Sequence, residues 1–291
     1  MTSPSFSAPP PLGNDASDAA SPAASPAAPR GASAVSEAYR PAADRSAADR
    51  SAGRSADRSA GRHERNVVVG VLAVQGDVRE HIATIVSLGA RAVPVRRAAE
   101  LADIDGLIIP GGESTTIDKL TRTFGLVEPL RELIAGDLPV YGSCAGMIML
   151  SDVVADPSTD RLGHPQQTFG GLDMVVRRNA FGRQRESFET DLDFAGLATT
   201  GSAAAEDPVR AVFIRAPWVE KVGEDVEVLA QVPAAETPQA GPSEGGGTDL
   251  APVARIVAVR SGNLLATSFH PEVTGERRVH ELFIRMIRGE A

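Results

Sequence analysis

Residues 67–74 (VVVGVLAV) form an almost unbroken apolar run dominated by β-branched valines, the pattern of a strand buried on both faces. Such a strand needs cover above and below, and the sequence after it supplies that cover in alternation. Residues 77–88 carry Val78, Ile82, Ile85 and Val86 on one helical face, with Asp77 placed to cap the start. Short strands are expected at 91–95 and 106–109, the second stopped by Pro110-Gly111-Gly112. A helix at 126–135, a strand at 138–141 and an apolar helix at 144–153 follow. Strands predominate later, at 211–215, 226–231, 254–260 and 263–268, with Ser261-Gly262-Asn263 as the turn between the last two. A closing helix at 275–287 sets Val279, Leu282, Phe283 and Met286 on one stripe. The fold class is therefore α/β: a mostly parallel central sheet flanked by helices, with an antiparallel extension.

Residues 1–65 have a different character. They cycle through Ala, Ser, Pro, Arg and Asp, with a loose repeat (ADRSAADRSAGRSADRSAGR) at 43–62. Too little apolar surface is present to offset the entropy of ordering, so 1–65 is expected to be a disordered tail preceding one domain at 66–291. An organelle transit peptide is an alternative that the tail's acidic residues oppose, and a native start near Asn66 is another. The tail is near +1, so the remainder, against a total of −9, is near −10. An acidic domain offers no cationic face for nucleic acid. No apolar stretch is long enough to span a membrane, and no secretory signal stands near Met1. The single cysteine, Cys144, forbids an internal disulfide and argues against a cysteine-based metal site, which suits a reducing cytoplasm. Two stretches, 156–167 and 233–252, read as surface loops, the second a flexible insert around Gly245-Gly246-Gly247.

The chemistry-bearing pattern is a strand, then Gly142-Ser143-Cys144-Ala145-Gly146, then a helix. This is the thiol counterpart of the G-x-S-x-G nucleophile elbow, in which flanking side chains would collide with neighbouring backbone. The turn leaves Cys144 at a helix N-terminus, whose dipole favours a thiolate, and aims the Ala145 N–H at a developing oxyanion. A buried structural cysteine is the alternative for a lone thiol. Of the histidines, His63 lies in the tail, His164 in a loop, and His81 and His280 inside expected helices. His270 ends a strand in the context Ser268-Phe269-His270-Pro271-Glu272. Pro271 favours an extended backbone at His270. Glu272, two residues on, would then point the same way and fix the imidazole's tautomer. The loop 110–116 (PGGESTT) follows a buried strand and lets backbone N–H groups approach a ligand, and its lack of a Walker lysine excludes a phosphate loop.

Taken together, these strings resemble the triad-type (class I) glutamine amidotransferases, and within them the glutaminases of pyridoxal 5′-phosphate synthase. The likeness rests on GVLAVQG at 70–76 with REH at 79–81, PGGESTT at 110–116, GSCAG at 142–146, RNAFGRQ at 178–184, FIRAP at 213–217 and SFHPE at 268–272. It runs from about residue 67 to the C-terminus and implies a flavodoxin-like sheet. It further implies Cys144 as nucleophile, His270 as proton carrier and Glu272 as its orienting partner. Gly112, Glu113, Ser114, Arg178, Ile214 and Arg215 would bind L-glutamine, with the Gly112 and Ala145 N–H groups as oxyanion hole. Gln75 matches a position near that loop, with no role assigned. The implied partner is a (β/α)₈ synthase subunit, in a complex of twelve plus twelve, which joins the ammonia to ribose 5-phosphate and glyceraldehyde 3-phosphate. No cofactor or metal is implied for the hydrolysis. Glutaminases serving other synthases, a catalytically dead binding module and a cysteine peptidase on the same fold are the rivals; the branch-specific strings and the intact Cys144, His270 and Glu272 weigh against them. Neither the tail nor the 233–252 insert has a counterpart in the family.

Overall fold

The computed structural model describes residues 67–160, 162–178, 187–197, 207–233 and 254–291. The expected tail and the 233–252 insert, apart from Pro233, lie outside these residues. The valine-rich run forms β1 (Val68–Leu72), with β2 (Arg91–Val95) on one side and β3 (Gly106–Ile109) on the other, all parallel. β4 (Val140–Ser143) continues beside β3, and β12 (Leu264–Thr267) beside β4, again parallel. From β12 the sheet turns antiparallel through β11 (Arg255–Ser261) and β9 (Trp218–Val222) to β6 (Leu172–Arg177), which pairs in parallel with β5 (Ser151–Val154). β10 (Glu227–Val232) joins the other side of β11, and β7 (Phe188–Leu192) with β8 (Val209–Phe213) forms a separate antiparallel ribbon.

Each strand of the parallel half feeds two cores. Val69, Val71 and Ile108 face one, whereas Leu72, Leu107 and Ile109 face the other. The first is covered by α1 (Val78–Ser87) and α6 (Arg278–Arg288), through Ile85, Val279, Leu282 and Phe283. The second is covered by α2 (Ser114–Thr123), α3 (Val127–Ala135) and α4 (Ala145–Leu150), through Ile117, Leu130 and Met147. Period-two alternation with apolar residues on both sides is why these strands appear in the sequence as continuous apolar runs. Among the described residues, no helix is long and apolar enough to cross a membrane.

Several boundaries differ from the sequence reading. The helix expected at 144–153 stops at Leu150, because Ser151 is extended (ψ 144°) and opens β5. The helix expected at 275–287 is α6, which starts later, at Arg278; a short turn not anticipated, α5 (Pro271–Thr274), precedes it and ends at Gly275 in the left-handed region (φ 75°). β6, β7 and β9 carry mixed polar and apolar residues and escape an apolar-run search.

Candidate active site

Strands β3, β4 and β12 are adjacent and parallel, so the loops at their C-terminal ends meet at one edge of the sheet. The loop after β4 carries Cys144 at the N-cap of α4, with φ 49° and ψ −99°. A non-glycine residue in that region costs about 1–3 kcal/mol and persists only where its surroundings enforce it. Here the enforcement is visible: the Cys144 N–H donates to the Thr267 carbonyl at 2.7 Å, tying the elbow to β12. A Cβ on Gly142 would lie 2.5 Å from the Gly146 backbone, and one on Gly146 would lie 2.1 Å from the Ile109 carbonyl oxygen. Side chains at either position would drive α4 off the sheet.

His270 follows β12 and caps α5, buried at 6% exposure. Its Nδ1 is 2.8 Å from Glu272 Oε1. The contact is the one expected, but the extended segment that was to create it is absent. Pro271 begins a helical turn, and Glu272 folds back beneath the imidazole as the second residue of that turn. Asp77 also differs from expectation. It stands at the N-cap of α1 without making a side-chain cap bond, and its Oδ2 lies 3.3 Å from His270 Nδ1 instead. Burial alone would lower the pKa of His270, but hydrogen bonds to Asp77, Cys144 and Glu272 outweigh it and raise the value to about 12. An imidazolium beside a thiol and hydrogen-bonded to a carboxylate is equipped to hand over a proton. Asp77, His270 and Glu272 bring possible ligand atoms within 4.8 Å of one another. Both carboxylates, however, already contact the imidazole Nδ1.

A cleft opens in front of the thiol. It is lined by Gly112, Glu113, Ser114, Cys144, Ala145, Ile148, Arg178, Ile214 and Arg215, so all the expected ligand-binding positions share one wall system with Cys144. Glu113 caps α2, its carboxylate accepting from Thr115 N. Its own N–H donates to Gln75 Oε1 at 2.8 Å. Arg178 is largely buried and held on two sides, by Glu113 Oε1 at 3.0 Å and by the Ser158 hydroxyl. Its Nε has no hydrogen-bond partner among the described residues, leaving a guanidinium donor in reserve. Arg215 sits in the left-handed region (φ 48°), beside the exposed Ile214. Residues 179–184 of the RNAFGRQ string lie outside the described residues.

The stretch 156–167 is more than the surface loop expected. Ser158 braces Arg178, and Gln166, itself buried, accepts a hydrogen bond from the Ser114 hydroxyl at 3.3 Å. Polar composition concealed this, since a loop that packs over a polar cleft has the same residue types as one that faces water. Behind Glu272 stand two further groups the sequence reading passed over: Ser143 Oγ, at 3.3–3.4 Å from the carboxylate, and His81 Nε2, at 3.5 Å from Oε1.

Comparison with known proteins adds independent findings. The model of the SNO glutamine amidotransferase family matches residues 71–289. The pyridoxal 5′-phosphate synthase subunit PdxT of Paenarthrobacter aurescens (strain TC1) is 67% identical over 223 residues, covering 77% of this chain and 93% of that one. The PdxT of Rhodococcus opacus (strain B4) is 56% identical over 222 residues, covering 76% and 98%. Among solved structures, a glutamine amidotransferase is 40% identical with a TM-score of 0.59, covering 75% of this chain and 98% of that one. PurLQS from Thermotoga maritima, 15% identical with a TM-score of 0.51 over 76% and 99% of the two chains, shares the fold alone.

Proposed function

The chain belongs to the SNO glutamine amidotransferase family, and from that premise we propose that it is the glutaminase of a pyridoxal 5′-phosphate synthase. It hydrolyses L-glutamine to L-glutamate and ammonia, and the ammonia serves pyridoxal 5′-phosphate formation on a synthase subunit. The observation that carries the catalytic reading is Cys144 on the wall of a cleft braced by Arg178, with His270 beside it and hydrogen-bonded to the buried Glu272.

The chemistry follows from that series. Cys144 Sγ attacks the side-chain amide carbon of glutamine, and the oxyanion that forms takes hydrogen bonds from the Ala145 and Gly112 N–H groups. His270, charged through its partners, gives its proton to the departing nitrogen, which leaves as ammonia. Water attacks the thioester that remains: one proton passes to His270, the hydroxyl joins the acyl carbon and the C–S bond breaks, so that glutamate departs and Cys144 Sγ and a protonated His270 stand as at the start. Glu272 keeps the imidazole's Nδ1–H directed away from the thiol throughout. Arg178 and Arg215 bind the substrate α-carboxylate, for which a guanidinium fork is suited. Gly112, Glu113, Ser114 and Ile214 complete the wall around the substrate.

The domain carrying this activity is 66–291, with 1–65 as a tail and 233–252 as an insert. The partner is a (β/α)₈ synthase subunit in a cytoplasmic complex of twelve plus twelve, which sedimentation of the mixed subunits would test. The deciding assay is glutamate release with and without the synthase subunit, for wild type and Cys144→Ala. Release that the partner stimulates and Cys144→Ala abolishes is expected. A wild type that releases none with an authentic synthase subunit present would falsify the assignment and favour a binding module on the same fold.

A further inference from the structure

Glu272 is a carboxylate with no side-chain exposure, and a buried carboxylate needs donors. His270 supplies one, to Oε1 at 2.8 Å. Ser143 supplies at best part of another. Its single hydroxyl hydrogen faces both Glu272 oxygens at 3.3–3.4 Å and also the Phe269 carbonyl at 3.3 Å, and it can point at only one acceptor. A further polar atom near the carboxylate is His81 Nε2, 3.5 Å from Oε1, a close approach short of a formed hydrogen bond, and it has no hydrogen-bond partner among the described residues. His81 comes from α1 and is fully buried.

A carboxylate only accepts, so this approach is favourable when His81 Nε2 carries the hydrogen. In a neutral ring Nδ1 is then bare and must itself accept. Its partner is at hand: His280 Nε2, from α6, lies 2.8 Å from His81 Nδ1 and is equally buried. His280 Nδ1 has no partner of good geometry among the described residues, so placing the hydrogen on Nε2 gives up only a weak contact with the Glu276 backbone. Tyr141 frames both rings edge-on, at 6.1 Å from His81 and 5.6 Å from His280, which fixes their tilt.

We propose that His81 and His280 are positioning residues for glutamine hydrolysis: His280 sets the tautomer of His81, and the His81 Nε2–H holds Glu272 in register with His270. Burial lowers the pKa of His81 well below the ordinary histidine value and that of His280 to about 4, so both rings are neutral, and the pair contributes an oriented donor rather than a charge. Two imidazoles in a core otherwise built from Ile85, Phe283 and their neighbours are costly to bury, and the Glu272 contact is the polar outcome that they share.

The inference rests on the triad reading above, and the test separates the two. Glutamate release would be measured on the complex with the synthase subunit for wild type, His81→Leu, His81→Gln, His280→Leu and Cys144→Ala. His81→Leu should lower kcat by about 10- to 100-fold, the usual cost of removing an outer partner of a site's working groups, with KM for glutamine unchanged. His81→Gln, whose amide can donate from the same reach, should recover most of that loss, and His280→Leu should fall between. A folded, docked His81→Leu with the kcat of wild type overturns the proposal, as does a His81→Gln no better than the leucine variant, since packing would then be the whole role. If His81→Leu does not fold, His280→Leu decides: a lowered kcat supports the relay, and an unchanged one overturns it. Activity persisting in Cys144→Ala would instead remove the triad itself, and this inference with it.

Discussion

Any side chain at Gly111 would meet the catalytic imidazole: a Cβ there falls 2.3 Å from His270 Cε1 and 2.9 Å from Asp77 Oδ2. Gly111→Ala should therefore displace His270 from Cys144 while leaving the core untouched. A shift of an ångström at a reacting group costs on the order of 100-fold, so kcat should fall by about that much with thermal stability nearly unchanged. A Gly111→Ala variant with full activity would show that His270 yields without consequence. The buried histidines make an independent prediction about pH. His81 and His280 have lowered pKa values in the folded chain, whereas the unfolded chain titrates near 6.5. Their contribution to stability is therefore present above pH 6.5 and is lost as pH falls toward 4, because the unfolded state takes up protons that the fold refuses. His270, with a raised pKa, contributes in the opposite sense: its share is present below pH 6.5 and lost as pH rises toward about 12. Urea unfolding between pH 7 and 4.5 should show His280→Leu losing roughly 2–3 kcal/mol less than wild type over that range. Parallel curves would mean that His280 is not held neutral.

Among the elements, the stretch between β5 and β6 is the one whose work went unread. Ser158→Ala removes a brace from Arg178, and a hydrogen bond to a charged group is worth about 1.5–3 kcal/mol. The expected result is a KM for glutamine raised about tenfold or more at constant kcat; a changed kcat with constant KM would place Arg178 away from the substrate. The elements that were legible share a physical reason. β1, β3, β4 and β12 are buried on both faces and so announce themselves as apolar runs, and the loops between them carry the glycines that close approach demands. β6 and β9 belong to the antiparallel half and β7 to the separate ribbon, each with one face partly wet, and Asp173, Glu189, Asp191 and Glu220 interrupt any apolar run. Cys144 and His270 were legible from their turns. His81 and His280 were set aside because each lies inside a helix, and their meeting across 199 positions of chain is a product of packing that no local pattern records.

At the scale of the molecule, the two halves of the sheet divide the labour. The parallel half carries the elbow and the imidazole at its C-terminal edge, while β6 and the segment after β8 bring Arg178, Ile214 and Arg215 to the opposite wall of the cleft. Ser143 and Thr267 are paired residues of neighbouring strands, and the Cys144 N–H is bonded to Thr267. Nucleophile and base are therefore spaced by the rung of a sheet rather than by the reach of two loops. Iodoacetamide labelling of Cys144, the chain's single cysteine, can be followed across a urea titration beside the fluorescence of its single tryptophan, Trp218 in β9. The fast alkylation of an imidazole-paired thiol should vanish at the same urea concentration at which the fluorescence changes. An earlier loss would mean that the elbow loosens by itself. Coincidence would mean that reactivity and architecture are one cooperative property, and that the chemistry has no melting point of its own.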